Sequence, residues 1–162
     1  MSSEAIWRLP LNIIKSEAER ADVDPTLVAA ICWQESAGKT YATRYEPKFK
    51  YLFNVRQYAS SQGHSKATEE NQQKQSYGLM QIMGATARWL GYNGALGALY
   101  QPKQNLYWGI KYLKHHLEKH GNVADAVASY NAGSPRRTVG NMYENQEYVD
   151  SVFDKMKWLE GI

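Results

Sequence analysis

Residues 24–36 read DPTLVAAICWQES, and no other stretch of the chain restricts its fold as strongly. Asp24 can accept the free N–H groups of a helix start, and Pro25 suits the first helical position. Val28, Ile31, Cys32 and Glu35 then recur at i, i+3, i+4 and i+7, so the spacing predicts a helix with Glu35 on its apolar stripe. Gly38 ends it within a turn. A carboxylate on a covered face is disfavoured as the ion, and burial should push its pKa up by one or more units. A glutamic acid still protonated at neutral pH is what a general acid for glycosidic cleavage requires. The plainer alternative is a Glu that reaches water or pairs with a buried Arg or Lys.

With 162 residues, the chain has room for one domain with a real core, 1–162. No apolar run approaches the roughly 18–20 residues of a membrane span, so stable membrane insertion is not expected. The start, MSSEAIWRLPLNIIKSE, lacks the basic head and long apolar block of a secretory signal. Cys32 is the one cysteine, which excludes an intramolecular disulfide and reads as core filling. His64, His115, His116 and His120 show no metal-ligand spacing; the last three read as the solvated side of a helix, and neither a metal nor an organic cofactor is expected. The net charge of +3 is scattered along the chain, which argues against a nucleic-acid partner and fits mild attraction to an anionic polymer. Twelve tyrosines and five tryptophans against three phenylalanines favour surfaces that grip partly polar ligands such as sugars.

The periodicity predicts a mostly helical chain. A first helix is expected over 4–20 with Ile6, Leu9, Ile13 and Ala18 inward, although Pro10 falls within it and allows a break. TYATRYEP reads as extended, KFKYLFNVRQYAS as a short helix, and SQGHSKATEENQQKQ as a mobile polar loop. SYGLMQI is a small β element, GATARWLG a helix and YNGALGALYQP a loop. Pro102 opens a helix with Leu106, Ile110, Leu113 and Leu117 on one face, ending near Gly121. Asn122 can cap VADAVASYNAG, which Gly133 stops, and the last helix should run over 146–159 with Val149, Val152, Phe153 and Met156 inward.

Four segments occur in order: Glu35-Ser36, then Gly78-Leu79-Met80-Gln81-Ile82, then Ala128-Ser129-Tyr130-Asn131-Ala132-Gly133, then Tyr148-Val149. With the spacer QPKQNLYWGIKYLKHHLEKHGN, this set resembles the soluble lytic transglycosylases and the goose-type lysozymes related to them, from about residue 22 to 156. The resemblance implies a lysozyme-like α-helical fold with a small β element beside a groove for the glycan strand of peptidoglycan. It implies that Glu35 protonates the bond between N-acetylmuramic acid and N-acetylglucosamine. In a transglycosylase the same carboxylate then takes the proton of the muramoyl C6 hydroxyl, which attacks C1 of its own sugar and leaves a 1,6-anhydro end. The acceptor is intramolecular, so it is held close at little further entropic cost.

Carried residue by residue, the resemblance makes Glu35 and Tyr130 the catalytic pair. It makes Ser36, Ser76, Tyr77, Gly78, Met80, Gln81, Asn131 and Tyr148 the substrate-binding set. Each has a plainer reading: Ser36 as a helix-end brace, Gly78 as a turn glycine rather than a point of close ligand approach, and Met80 as packing. Gln81 and Asn131 have amides suited to N-acetyl and hydroxyl groups or to bracing loops. Tyr130 can also be a core tyrosine with a satisfied hydroxyl, and Tyr148 reads as a hydrogen-bond partner of Glu35.

Besides Gly84, which stands where a proline often opens the next helix, the chain departs from the family pattern in three places. About 40 residues separate the Glu-Ser and Gly-Leu-Met-Gln words, so residues 39–75 are an insertion able to form a lid or groove wall. Ser76 and Tyr77 both precede Gly78, which leaves open which hydroxyl serves the N-acetyl group. SPRR follows Gly133, putting Arg136 and Arg137 either near peptide-stem carboxylates or in a solvated loop. A goose-type muramidase would need a second carboxylate to position water, with Glu46, Glu69 and Glu70 as candidates. ATEE otherwise reads as a solvated patch. A non-catalytic glycan-binding module is the reading from another class. Absence of a signal and of disulfides suits a monomeric phage endolysin made in the host cytoplasm and released to the wall, or a virion-associated enzyme.

Overall fold

The computed structural model describes residues 4–161, so Met1–Ser3 and Ile162 of the expected domain lie outside the described residues. The chain runs α1 (Glu4–Arg8), α2 (Leu11–Arg20), α3 (Pro25–Ser36), β1 (Thr43–Tyr45), α4 (Val55–Gln62), α5 (Lys66–Gln73), β2 (Gln75–Tyr77), β3 (Ile82–Met83) and α6 (Gly84–Trp89). A 3-10 turn (Leu96–Tyr100) follows, then α7 (Pro102–His120), α8 (Val123–Ala132) and α9 (Gln146–Glu160). The architecture is mostly helical with one three-stranded antiparallel sheet, in line with a lysozyme-like fold.

Helix α3 begins as its caps dictate: Thr26 N–H donates to Asp24 Oδ1 at 2.9 Å, and Pro25 takes the first turn. It carries no narrow apolar stripe. Leu27 through Trp33 are all buried, so the helix is covered on every side, chiefly by α2 and α9. It stops at Ala37, which adopts a left-handed φ of 52°, one residue before the glycine expected to end it. Pro10 divides the expected first helix in two, and Ile14 with Ala18 points deepest while Ile6 and Ile13 are half-buried.

Two apolar clusters result. The larger joins α2, α3, α7, α8 and α9 with Leu79 and Met80; the smaller gathers Tyr77, Ile82, Ala87, Tyr92, Leu96 and Leu99 around the sheet. Leu96 and Leu99 face inward from a 3-10 turn where a loop is expected, because i and i+3 eclipse in that geometry.

The insertion departs most from expectation. β1 pairs with β2 (Arg44 opposite Ser76), so residues 46–74 form an excursion between two hydrogen-bonded strands. KFKYLFNVRQYAS is helical only from Val55. SQGHSKATEENQQKQ is not a mobile loop but ends α4 and forms α5, capped where Ser65 Oγ accepts from Thr68 N–H at 3.1 Å. Nor is ATEE simply a solvated patch. Glu69 is fully buried, with Arg88 Nε at 3.0 Å and Nη2 at 3.1 Å.

Candidate active site

Glu35 leaves the buried helix α3 in its last turn and enters a cleft of about 1020 Å³. Asn131 and Tyr130 reach that cleft from α8, Ser76 from β2, Gln81 from the β2–β3 turn, and Arg44 and Glu46 from β1 and the residue after it. Segments separated by up to 113 residues thus meet: Tyr148 of α9 donates its hydroxyl to Glu35 Oε2 at 2.9 Å.

Burial pushes the Glu35 carboxyl up to about 7, against the opposing effects of the Tyr148 hydrogen bond and the positive charge of Arg44. The group is therefore partly protonated at neutral pH, as an acid that later serves as a base requires. Tyr130 donates to the Met80 carbonyl at 2.6 Å and packs on Tyr112 at 5.2 Å, so its hydroxyl is satisfied while its ring lines the cleft. The buried Cys32 thiol is pushed far up by burial and by the charge of Glu35, and it serves as packing.

The residues preceding Gly78 divide by strand alternation. Ser76 faces the cleft and donates to Gln81 Oε1 at 2.7 Å. Tyr77, its neighbour, points to the opposite face, where its hydroxyl donates to the Gln72 carbonyl at 2.8 Å in the smaller core. Gln81 sits at φ 49° and donates Nε2 to the carbonyls of Ala42 and Gly78, so its amide braces the turn as much as it faces ligand. Asn131 is exposed, held by Asn145 Nδ2 at 2.9 Å.

Five residues of the binding set lie outside the cleft lining. Tyr77 is one; Met80 is fully buried and packs against Gly109. Ser36 donates to the Cys32 carbonyl and accepts from Gly38 N–H, bracing the end of α3. Gly78 is required by packing: at φ 66°, a Cβ there would sit 2.5 Å from Asn105 Nδ2. Tyr148 touches the site through Glu35 rather than through the cleft wall.

Asn105 is a site-building residue that sequence reasoning missed. Fully buried on α7, it donates to the carbonyls of Tyr77 and Leu99 and accepts from Met80 N–H at 2.8 Å, clamping the Gly-Leu-Met turn. The available signal was a polar residue beside Leu106 on the apolar face of a helix. His116 also corrects an expectation. It is buried at the cleft rather than solvated, stacked on His120, and burial with neighbouring positive charge lowers its pKa to about 4.

Of the candidate second carboxylates, Glu46 lines the cleft, 3.5 Å from Arg44 Nε. Glu69 is buried away from it. Burial pushes Glu69 up, but hydrogen bonds from Arg88, Gln73 and His64 outweigh that and hold the carboxyl below its ordinary value. Glu70 is not among the lining residues. Arg136 reaches the cleft, whereas Arg137 turns to Asp125 and the Tyr143 ring. Among the described residues no cluster of three metal-ligating side chains forms, and no helix is long and apolar enough to cross a membrane.

Comparison with known proteins fits this geometry. The transglycosylase SLT domain matches residues 12–150, which takes in the segments carrying Glu35, Gln81, Tyr130 and Tyr148. A protein of Enterobacteria phage PRD1 named "Transglycosylase" is 33% identical over 148 residues, covering 91% of this chain and 43% of the phage protein. The chain thus spans less than half the length of that relative.

Proposed function

The chain belongs to the transglycosylase SLT domain family, and from that premise we propose that it is a lytic transglycosylase that cleaves the β-1,4 bond between N-acetylmuramic acid and N-acetylglucosamine in peptidoglycan. The observation that carries this reading is Glu35, a carboxyl with its pKa raised to about 7, in a cleft shared with Tyr130, Asn131, Ser76 and Gln81. Protonated Glu35 gives its proton to the glycosidic oxygen as the C1–O4 bond breaks. The resulting carboxylate takes the proton of the muramoyl O6–H as O6 bonds to C1. The acid is regenerated and no water is consumed. Tyr148, donating to Oε2, orients the carboxyl and favours its ionised form for the second step.

A hydrolytic outcome at the same bond is the second reading, and it narrows to Glu46 as the candidate carboxylate bordering the same cleft. We further propose that the enzyme serves lysis of a bacterial wall, made in a host cell and then released or carried by a virion.

Mass spectrometry of muropeptides released from purified peptidoglycan tests the reaction. Ends lighter by one water are expected; hydrated reducing ends that vanish in Glu46→Gln would overturn anhydro formation in favour of hydrolysis. Glu35→Gln, correctly folded, should lower release by about 10²–10⁴-fold, the usual contribution of a general acid. Near-parent activity in that variant would remove Glu35 from the chemistry.

A further inference from the structure

One wall of the cleft has no part in the chemistry at Glu35. Residues 46–54 lie in no helix or strand, yet Phe49, Tyr51, Leu52 and Phe53 line the cleft. Tyr51 is 73% exposed, and its ring meets Phe49 edge-on at 5.8 Å. Aromatic side chains left exposed in a cleft that also carries polar groups mark a binding surface rather than a core.

A segment outside any helix or strand keeps one shape only if its polar groups are held from elsewhere. The Gln73 side chain does this, accepting from Phe53 N–H at 2.8 Å and donating to the Phe53 carbonyl at 2.9 Å. Gln73 is fully buried and also donates to Glu69 Oε2 at 2.8 Å. Glu69 takes two bonds from Arg88, which is pinned in turn by the carbonyls of Tyr92 and Gly94 and lies 4.5 Å from the Tyr58 ring centre. A buried ion pair contributes little net stability, because losing hydration offsets the attraction. It does impose one geometry, and here that geometry ends on the backbone of the aromatic arm.

We infer that Phe49, Tyr51 and Phe53 form a sugar-stacking subsite for the glycan strand, and that Gln73, Glu69 and Arg88 are positioning residues that hold it in register. The inference rests on the reading of the cleft as a peptidoglycan site and concerns affinity rather than bond cleavage. Pyranose rings present apolar C–H faces and polar edges. The cleft matches this with aromatic faces from the arm and the Asn131 amide from α8.

Kinetics on glycan strands stripped of peptide and on intact peptidoglycan test the subsite. Tyr51→Ala and Phe49→Ala should each raise KM about tenfold on both substrates with kcat within about twofold, the pattern of lost uniform binding. Tyr51→Trp should recover most of the loss. Gln73→Met should raise KM alone but add little to Tyr51→Ala, since both act through one arm. Trp7→Ala, at a residue outside the cleft lining, serves as the unchanged control. Unchanged KM in both alanine variants overturns the subsite, and a rise confined to peptide-bearing strands overturns the sugar as its occupant. Additivity of the Gln73 and Tyr51 effects overturns the positioning role. Failure of the parent to cut either substrate would count against the proposed reaction instead. In that event, binding of an N-acetylglucosamine tetramer to Glu35→Gln, with and without Tyr51→Ala, still decides the subsite.

Discussion

At the residue scale, Glu35 is set by three opposing influences. Burial raises its pKa; the Tyr148 hydroxyl and the Arg44 charge lower it by favouring the ion, and the balance falls at about 7. Removing the Tyr148 hydroxyl removes a lowering influence. Tyr148→Phe should therefore move the alkaline limb of the kcat/KM–pH profile above that of the parent; a limb that stays put or moves down would show that the hydrogen bond does not act on the ionised form. Glu35 was legible in the sequence because its helix starts and stops with local signals. The roles of Ser76 and Tyr77 were not, since choosing between two adjacent hydroxyls needs the face that β2 buries.

At the element scale, α5 shows why the insertion read wrongly. Its composition is polar and Gln-rich, but Ser65 caps it and Glu69 and Gln73, four residues apart, lie on one buried face. What they meet is Arg88, 19 residues further on, and no local pattern announces that pairing. Because the ion pair is wholly buried, breaking one side strands a charge. Arg88→Met should cost about 3–5 kcal/mol of unfolding free energy by chemical denaturation. Glu69→Met with Arg88→Met should recover part of that loss; a single variant as stable as the parent would show the pair to be dispensable. The same reasoning explains Asn105, whose bonds to the Gly-Leu-Met turn span 25 to 28 residues.

At the scale of the whole molecule, the site carries a stability penalty. The raised pKa of Glu35 means that the folded protein keeps a proton which the unfolded chain loses above its ordinary value of 4.5. Stability should fall as pH rises from about 4.5 to about 7, with the penalty fully present above that window. Glu35→Gln should flatten this fall and be more stable than the parent at pH 8 in thermal unfolding; an unchanged slope would place the proton elsewhere. On the proposed mechanism, function and stability are opposed at this one side chain.

The starts of α3, α7 and α8, the apolar faces of α7, α8 and α9, and the order of the Glu-Ser, Gly-Leu-Met-Gln and Tyr-Asn segments were determined by the sequence alone. Each depends on caps, glycines, prolines and spacing within a few residues. The tertiary structure decided which members of those segments face the cleft, that Met80 and Gly78 pack instead, and that the polar stretch 61–75 folds into a helix whose Gln73 braces the aromatic segment at Phe53. Those outcomes depend on partners 19 to 113 residues apart, whose hydrogen bonds and burial exist only once the chain has closed on itself.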